Sequence, residues 1–485
     1  MVRNGERSMN LSILEIANAC GGRLYIQGEQ TGEDTFVDSV VLDSRKVTPG
    51  GVFVATVGEK VDGHKFIPQV FAAGAALVIT EKTPEQVASE CAVSAENWGC
   101  YVLVENSFQA LKDIAEYYRS KLKLTVVGIT GSVGKTSTKE FIAGVLAEKY
   151  HVLKTEGNFN NEVGVPLTLL RIRDEHEVAV VEMGISDFGE MHRLSKMVRP
   201  DICVITNIGQ CHLENLKSRE GILKAKTEIF DFMAPDGEVC LNGEDDMLCT
   251  VKREKAPHFF GLGNSSGQEV WAGEVKSHGL WGSDAVLHTA CASQEENSFP
   301  VHIPLPGLHM VINAAAAACV AGILGLSKEQ IVEGLGKLQS VGGRNHLIRL
   351  EKYTVIDDCY NANPVSMKAA IDLLNMADTR KVAVLGDMFE LGVNADQMHG
   401  EVGAYAARSG IDSILCVGEL SRHMYEAAKQ EASSGQRVCY FADRDSLIHG
   451  LETEEDLLPE GCTILVKASH GMEFSKVVDF LRAVR

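Results

Sequence analysis

No apolar stretch in this 485-residue sequence is long enough to span a bilayer; the longest candidate, AAAAACVAGILGL at 314–326, suits a buried helix. The opening MVRNGERSMN is basic but has no apolar export core behind it, and its first eight residues read as a frayed extension. A cytoplasmic protein without stable membrane insertion is therefore expected. The 13 cysteines are odd in number, scattered and never spaced C-x-x-C, which argues against a disulfide framework or a zinc ribbon and fits a reducing compartment. Positive charge is short, with 46 Lys and Arg against 66 Asp and Glu and a net charge of −20. Such a chain is a poor partner for nucleic acid or acidic membranes, so an anionic ligand would need local cations, helix ends and metal. Internal repeats and low-complexity tracts are absent, and no G-x-G-x-x-G follows a strand pattern in the last third.

What is present is a soluble, globular composition with length for about three domains. Short strands and helices to residue 122 form a first unit, ending in the amphipathic SFQALKDIAEYYRSKL. A second, 123–340, alternates strand and helix and carries a β-richer, glycine-containing insertion around 236–306. The GG of QSVGGRN marks the hinge to a third, 341–485, where apolar strands such as KVAVLGDM and CTILVKAS alternate with helical stretches. Repeated βα alternation predicts α/β architecture with a doubly wound parallel sheet.

The chemistry gathers around GITGSVGKTST, 128–138. LTVVGIT before it reads as a strand buried on both faces, and the following run spaces Phe141, Val145 and Leu146 on one helical face. Gly131 and Gly134 would let backbone N–H groups approach an anion at the helix's positive end; Lys135 adds a point charge and the Thr136 hydroxyl is a hard ligand suited to Mg²⁺. The first glycine of the common G-x-x-x-x-G-K-[ST] pattern is missing, since position 129 is Ile129. Two further buried-strand patterns, EVAVVEMG and DICVITNIGQCHLEN, carry Glu182 and then Asn207, His212 and Glu214 near their ends. Ligands in open α/β sheets bind at such ends, so Glu182 and His212 could complete a metal site with Thr136. TEGNFNNEVGVP brings Asn158, Asn160 and Asn161, equally suited to a turn or to a polar substrate. Lys226 lies in a helical stretch, where a lysine belongs by default to a solvated face.

TGSVGKTS, NFNNEVGVPLTLL, VVEMGISDFGEM, TNIGQCHLE, AKTEIF, GLHMVINAAAAA, GGRNH, DDCYNANPVSM and LGDMFELG, in this order from about residue 43 to 470, resemble the Mur ligase family. Its phosphate loop has the form TG[ST]xGK[TS], without the early glycine. The resemblance implies three domains: an N-terminal UDP-substrate domain (1–122), a central P-loop-type ATP-binding α/β domain (123–340) and a C-terminal Rossmann-like parallel-sheet domain (341–485) that closes over the site. It implies ATP and Mg²⁺ as cofactors, with Gly131, Ser132, Gly134, Lys135, Thr136 and Ser137 on the phosphates. Thr136, Glu182, His212 and Lys226 would sit at the metals, Lys226 matching a lysine carbamylated in several members. His309 and Asn313 match the adenine side, Arg344 reaches toward the γ-phosphate, and Asp358 would bind ribose. Ser44, Arg45 and His64 match the nucleotide-sugar segment, with Asn158, Asn160 and Asn161 also toward substrate.

Within the family, no D-N-P-R motif is present, and YNANPVSM points to addition of a dipeptide. The implied partners are UDP-N-acetylmuramoyl-tripeptide and D-alanyl-D-alanine, the protein acting as a monomer. VKASHGMEF departs from the expected GSRGM near the C-terminus. The rival readings are a relative adding a single amino acid, a folylpolyglutamate synthase, or, in another class, a nucleotide-binding switch.

Overall fold

The computed structural model describes residues 9–26, 32–58, 61–94, 98–263, 268–289, 297–339, 343 and 346–483. The frayed extension expected over the first eight residues, Gly342 of the hinge pair and Arg344 lie outside the described residues.

Three sheets follow one another along the chain. The first has five strands between Arg23–Tyr25 and Cys100–Leu103; all pairs are parallel except the one joining those two strands. Helix Ser107–Lys121 leaves it and ties it to the second unit. Tyr118 donates its hydroxyl to the Ile172 carbonyl at 2.6 Å, and the buried Arg119 donates Nε to the Val198 carbonyl at 2.8 Å. A guanidinium buried here satisfies carbonyls left open at the end of helix Glu190–Val198.

The second sheet has nine strands, with Thr125–Thr130 third from one edge, between Val178–Glu182 and Ile202–Ile205. These three strands are buried almost throughout, which explains their uninterrupted Val and Ile content. The segment at 236–306 is an extension rather than an insertion: Glu238–Asn242, His258–Leu262 and Val270–Ser277 continue the sheet in parallel, and Ser283–Thr289 and Asn297–Ile303 add two antiparallel strands. The alanine-rich run forms helix Leu308–Ile323, packed on this sheet and on helix Lys135–Leu146. Among the described residues no helix is long and apolar enough to cross a membrane.

The third sheet orders six strands with only His346–Arg349 antiparallel, flanked by helices including Pro364–Asn375 and Ala395–Arg408. Asn363 caps Pro364–Asn375 through a reciprocal bond with Ser366, and Pro364 occupies the first helical position, where its missing N–H costs nothing.

Candidate active site

Strand Thr125–Thr130 passes through Gly131–Gly134 directly into helix Lys135–Leu146. Gly134 has φ +83°, and a Cβ on Gly131 would fall 1.9 Å from Thr206 Oγ1, so both positions require glycine. The loop is held from the neighbouring strand end. Asn207 Oδ1 accepts from Val133 N at 2.9 Å while its Nδ2 donates to Val133 O at 2.9 Å, and Thr206 Oγ1 donates to the same carbonyl at 2.6 Å. Ser132 Oγ accepts from Gly209 N, and the Lys135 ammonium folds back to the Gly131 carbonyl at 2.8 Å. Ser137 lies half-buried in the first helical turn. The result is a cradle of backbone N–H groups at a helix N-terminus with an ammonium over it, a site built for phosphate.

Beside it, Thr136 donates its hydroxyl to Glu182 Oε2 at 2.7 Å, and Asn160 Nδ2 donates to Oε1 at 2.8 Å. Glu182 is 1% exposed, and its backbone N–H donates to the buried Thr155 hydroxyl. Among the described residues no three His, Cys, Asp or Glu side chains group into a metal cage. One hydroxyl and one buried carboxylate instead make a hard-oxygen donor set that fits Mg²⁺ shared with phosphate oxygens.

Lys226 overturns the expectation of a solvated face. It sits in helix Arg219–Thr227 at 1% exposure, and no carboxylate of the described residues pairs with it. Burial, reinforced by the Lys135 charge and opposed by the Cys211 thiol, pushes its ammonium down to about 7. His212 adopts φ +52° at the start of helix Leu213–Leu216. Burial, with the charges of Lys226 and Lys135, holds its imidazole below the ordinary range against the opposing pull of Glu390. Lys135, Lys226 and His212 thus share one electrostatic neighbourhood, an excess of positive charge within an acidic protein. Glu390, from the third domain, reaches His212 Nδ1 at 3.6 Å.

The remaining expected residues separate. Asn313 accepts from Thr138 Oγ1 at 2.9 Å, fastening the helix that carries the half-buried His309 to the phosphate-loop helix. Burial lowers the His309 pKa, opposed by Asp358. Asp358 itself accepts from the buried Lys467 ammonium at 2.6 Å, a partner that the run VKASHGMEF did not announce. Asn161 Oδ1 accepts from the N–H groups of Val163 and Gly164 and so shapes the start of helix Gly164–Leu169, whereas Asn158 is exposed. Arg45 projects into solvent, paired with Asp43 at 2.7 Å beside half-buried Ser44. His64 is 1% exposed, its Nδ1 bonds Asp62 at 2.6 Å and its Nε2 accepts from Glu81 N at 3.0 Å. Both ring nitrogens are occupied in bracing the domain. Thr155 and Lys467 lie inside TEGNFNNEVGVP and VKASHGMEF, but nothing local marks either residue as a partner of Glu182 or Asp358; only the fold brings them to those strand ends.

The fold and this loop define an α/β enzyme that uses a nucleoside triphosphate, in three domains. Family models agree in finer detail: the Mur ligase middle domain matches residues 129–321, the Mur ligase glutamate ligase domain 343–470, and the Mur ligase family catalytic domain 37–118. The UDP-N-acetylmuramoyl-tripeptide--D-alanyl-D-alanine ligase of Bacillus subtilis (strain 168) is 35% identical over 457 residues, 92% of this chain and 93% of its own. That of Escherichia coli (strain K12) is 34% identical over 465 residues, 94% of this chain and 96% of its own. Among solved structures, MurF from Acinetobacter baumannii is similar at TM-score 0.83 and 32% identity, over 98% of this chain and 99% of that one. MurF from Thermotoga maritima in complex with ADP is similar at TM-score 0.76 and 28% identity, over 92% and 97%. This chain belongs to the Mur ligase family, and it is an ATP-dependent ligase.

Proposed function

We propose that this enzyme joins D-alanyl-D-alanine to UDP-N-acetylmuramoyl-tripeptide in the cytoplasmic synthesis of the peptidoglycan precursor, acting as a monomer. The observation that carries the reading is the phosphate cradle beside a buried Thr136–Glu182 pair, in a chain whose relatives of that name match it over nearly its whole length.

A carboxylate does not react with an amine at neutral pH, because an oxide would have to leave. Transfer of the γ-phosphoryl group of ATP onto the tripeptide carboxylate gives an acyl phosphate; the dipeptide amine attacks it, and phosphate departs. The protein's task is to position two anions and offset their charge. The loop N–H groups and Lys135 hold the triphosphate, with Arg344 assigned to the γ-phosphate and Asp358 to ribose. Asn313 and His309 flank the adenine side, while Ser44, Arg45 and the asparagines at 158 and 160 take the UDP-linked substrate. Thr136 and Glu182, with His212, hold Mg²⁺, which when bound neutralises charge on the transferring oxygens. The Lys226 amine, at about 7, is in good part neutral near physiological pH. The neutral amine can therefore add CO₂ with loss of a proton, becoming a carbamate that would suit the metal.

The test is phosphate release with ATP, Mg²⁺ and UDP-N-acetylmuramoyl-tripeptide, with and without D-alanyl-D-alanine. Release requiring the dipeptide is expected; release indifferent to it overturns the acceptor assignment.

A further inference from the structure

Strand Val270–Ser277 is longer than the strand on which it lies. Its parallel pairing to His258–Leu262 ends at Leu262 and Ala272, yet it runs on through Ser277 with only antiparallel partners. The five residues from Gly273 project roughly 16 Å beyond the sheet. They form an arm of three strands with Ser283–Thr289 and Asn297–Ile303. Because the intervening strands are all parallel, the arm leaves the same edge of the sheet as the phosphate loop. It stands four strands along from Thr125–Thr130, roughly 19 Å away.

The tip of this arm does not end in solvent. Leu280 is 6% exposed and packs in the core of the third domain with Ile356, Met367, Ile371 and Leu374. Beside it, the Arg349 guanidinium lies 3.7 Å from the centroid of the Trp281 ring. Gly279, at φ +63°, approaches the end of helix Pro364–Asn375 so closely that a Cβ would meet the Met376 carbonyl at 3.1 Å. The arm is braced just behind its tip, where Asp284 accepts from His278 and His302, each at 2.7 Å. Its last strand then runs through Pro304–Gly307 into helix Leu308–Ile323, the helix of His309 and Asn313. By contrast, the contact of the third domain at the phosphate site, Glu390 to His212, is 3.6 Å long, and the Glu390 side chain is 76% exposed. One attachment centres on a buried apolar side chain, Leu280, with the half-exposed Trp281 beside it; the other is polar and wet.

We propose that the arm tip Gly279–Trp281 is the pivot that carries the third domain over the phosphate loop, with Leu280 and Trp281 as positioning residues for ligation. The inference rests on the ligase reading above, in which groups of the third domain must meet ATP held by the second. An apolar peg tolerates rotation, because it has no directional bonds to break, while it resists separation. The Glu390–His212 contact is free to open and close around it. Connection of the arm to the His309 helix ties the pivot to the nucleotide.

Leu280→Ser tests this, read by small-angle X-ray scattering of the full chain with and without ATP, and by steady-state kinetics. The variant is expected to expand in scattering and to lose kcat by about tenfold or more, with the ATP KM changed far less. Leu280→Met is expected to restore both. A folded Leu280→Ser protein with wild-type scattering and kcat overturns the pivot, as does a loss of kcat without expansion. Should Leu280→Ser fail to fold, Arg349→Ala removes the ring stack without touching the core. A smaller change in the same two readouts then supports the pivot, and no change overturns it. If the wild-type enzyme itself shows no dipeptide-dependent phosphate release, the ligase reading has failed, while the scattering comparison still decides the pivot.

Discussion

Two buried lysines stand at the ends of parallel strands or beside them, one in the second domain and one in the third, and they are opposites. Lys467, at 2% exposure, donates to the Asp358 carboxylate at 2.6 Å and to the Asn361 carbonyl at 2.9 Å. Lys226, at 1%, faces the Lys135 charge and the His212 ring, with no carboxylate of the described residues paired to it. Burial of an ammonium is costly unless a counter-charge offsets it. The fold supplies that counter-charge to Lys467 from within. Lys226 has no such counter-charge among the described residues, and the proposed carbamate would supply it. Equal burial therefore separates a structural cation from a functional one once the partner is examined.

The comparison can be broken at several points. Lys135→Ala removes the cation over the cradle and is expected to abolish phosphate release, a loss on the order of 100-fold or more at saturating ATP. Near-normal turnover would undo the site. Lys467→Met removes the buried ammonium that pairs with Asp358 and is expected to destabilise the fold by about 3–5 kcal/mol in denaturant unfolding. Lys226→Met removes an unpaired charge, so the same measurement should show unchanged or increased stability while ligation is lost. A matching loss of stability in both methionine variants would erase the distinction. His212→Ala is expected to raise the Mg²⁺ concentration for half-maximal rate, and an unchanged titration would remove His212 from the metal.

A further effect is one of pH. Lys226 titrates at about 7 in the folded protein against 10.5 for an ordinary lysine. Between those values the unfolded chain holds a proton that the folded chain has released, so the lysine's contribution to stability rises as pH increases from 7 to 10.5. In CO₂-free buffer, unfolding free energies measured across this range should climb less steeply for Lys226→Met than for wild type. Parallel profiles would show that Lys226 is not buried unpaired.

Much of this was legible beforehand. The phosphate loop is a local object: Gly131, Gly134, Lys135 and Thr136 lie within six residues, and the apolar strand before them and helix after them fix their geometry. Glu182 could be placed beside it because strand ends in a parallel sheet share one edge. The motif around His64 does not reveal that Asp62 and the Glu81 amide occupy both ring nitrogens. The region at 236–306 looked inserted because strand patterns carry no information about which neighbour they join. Nothing local distinguishes Leu280, a single leucine between Gly279 and Trp281, from any other turn residue.

By itself the sequence determined the α/β alternation, the anion-binding loop, its family and hence the ATP-dependent ligase chemistry, all of which depend on residues near one another in the chain. Tertiary structure alone decided which buried cation is paired, which asparagine faces Glu182 and which caps a helix, and where the second domain's arm enters the third. Those outcomes depend on contacts between distant segments, whose electrostatics and packing exist only after the chain has closed around them.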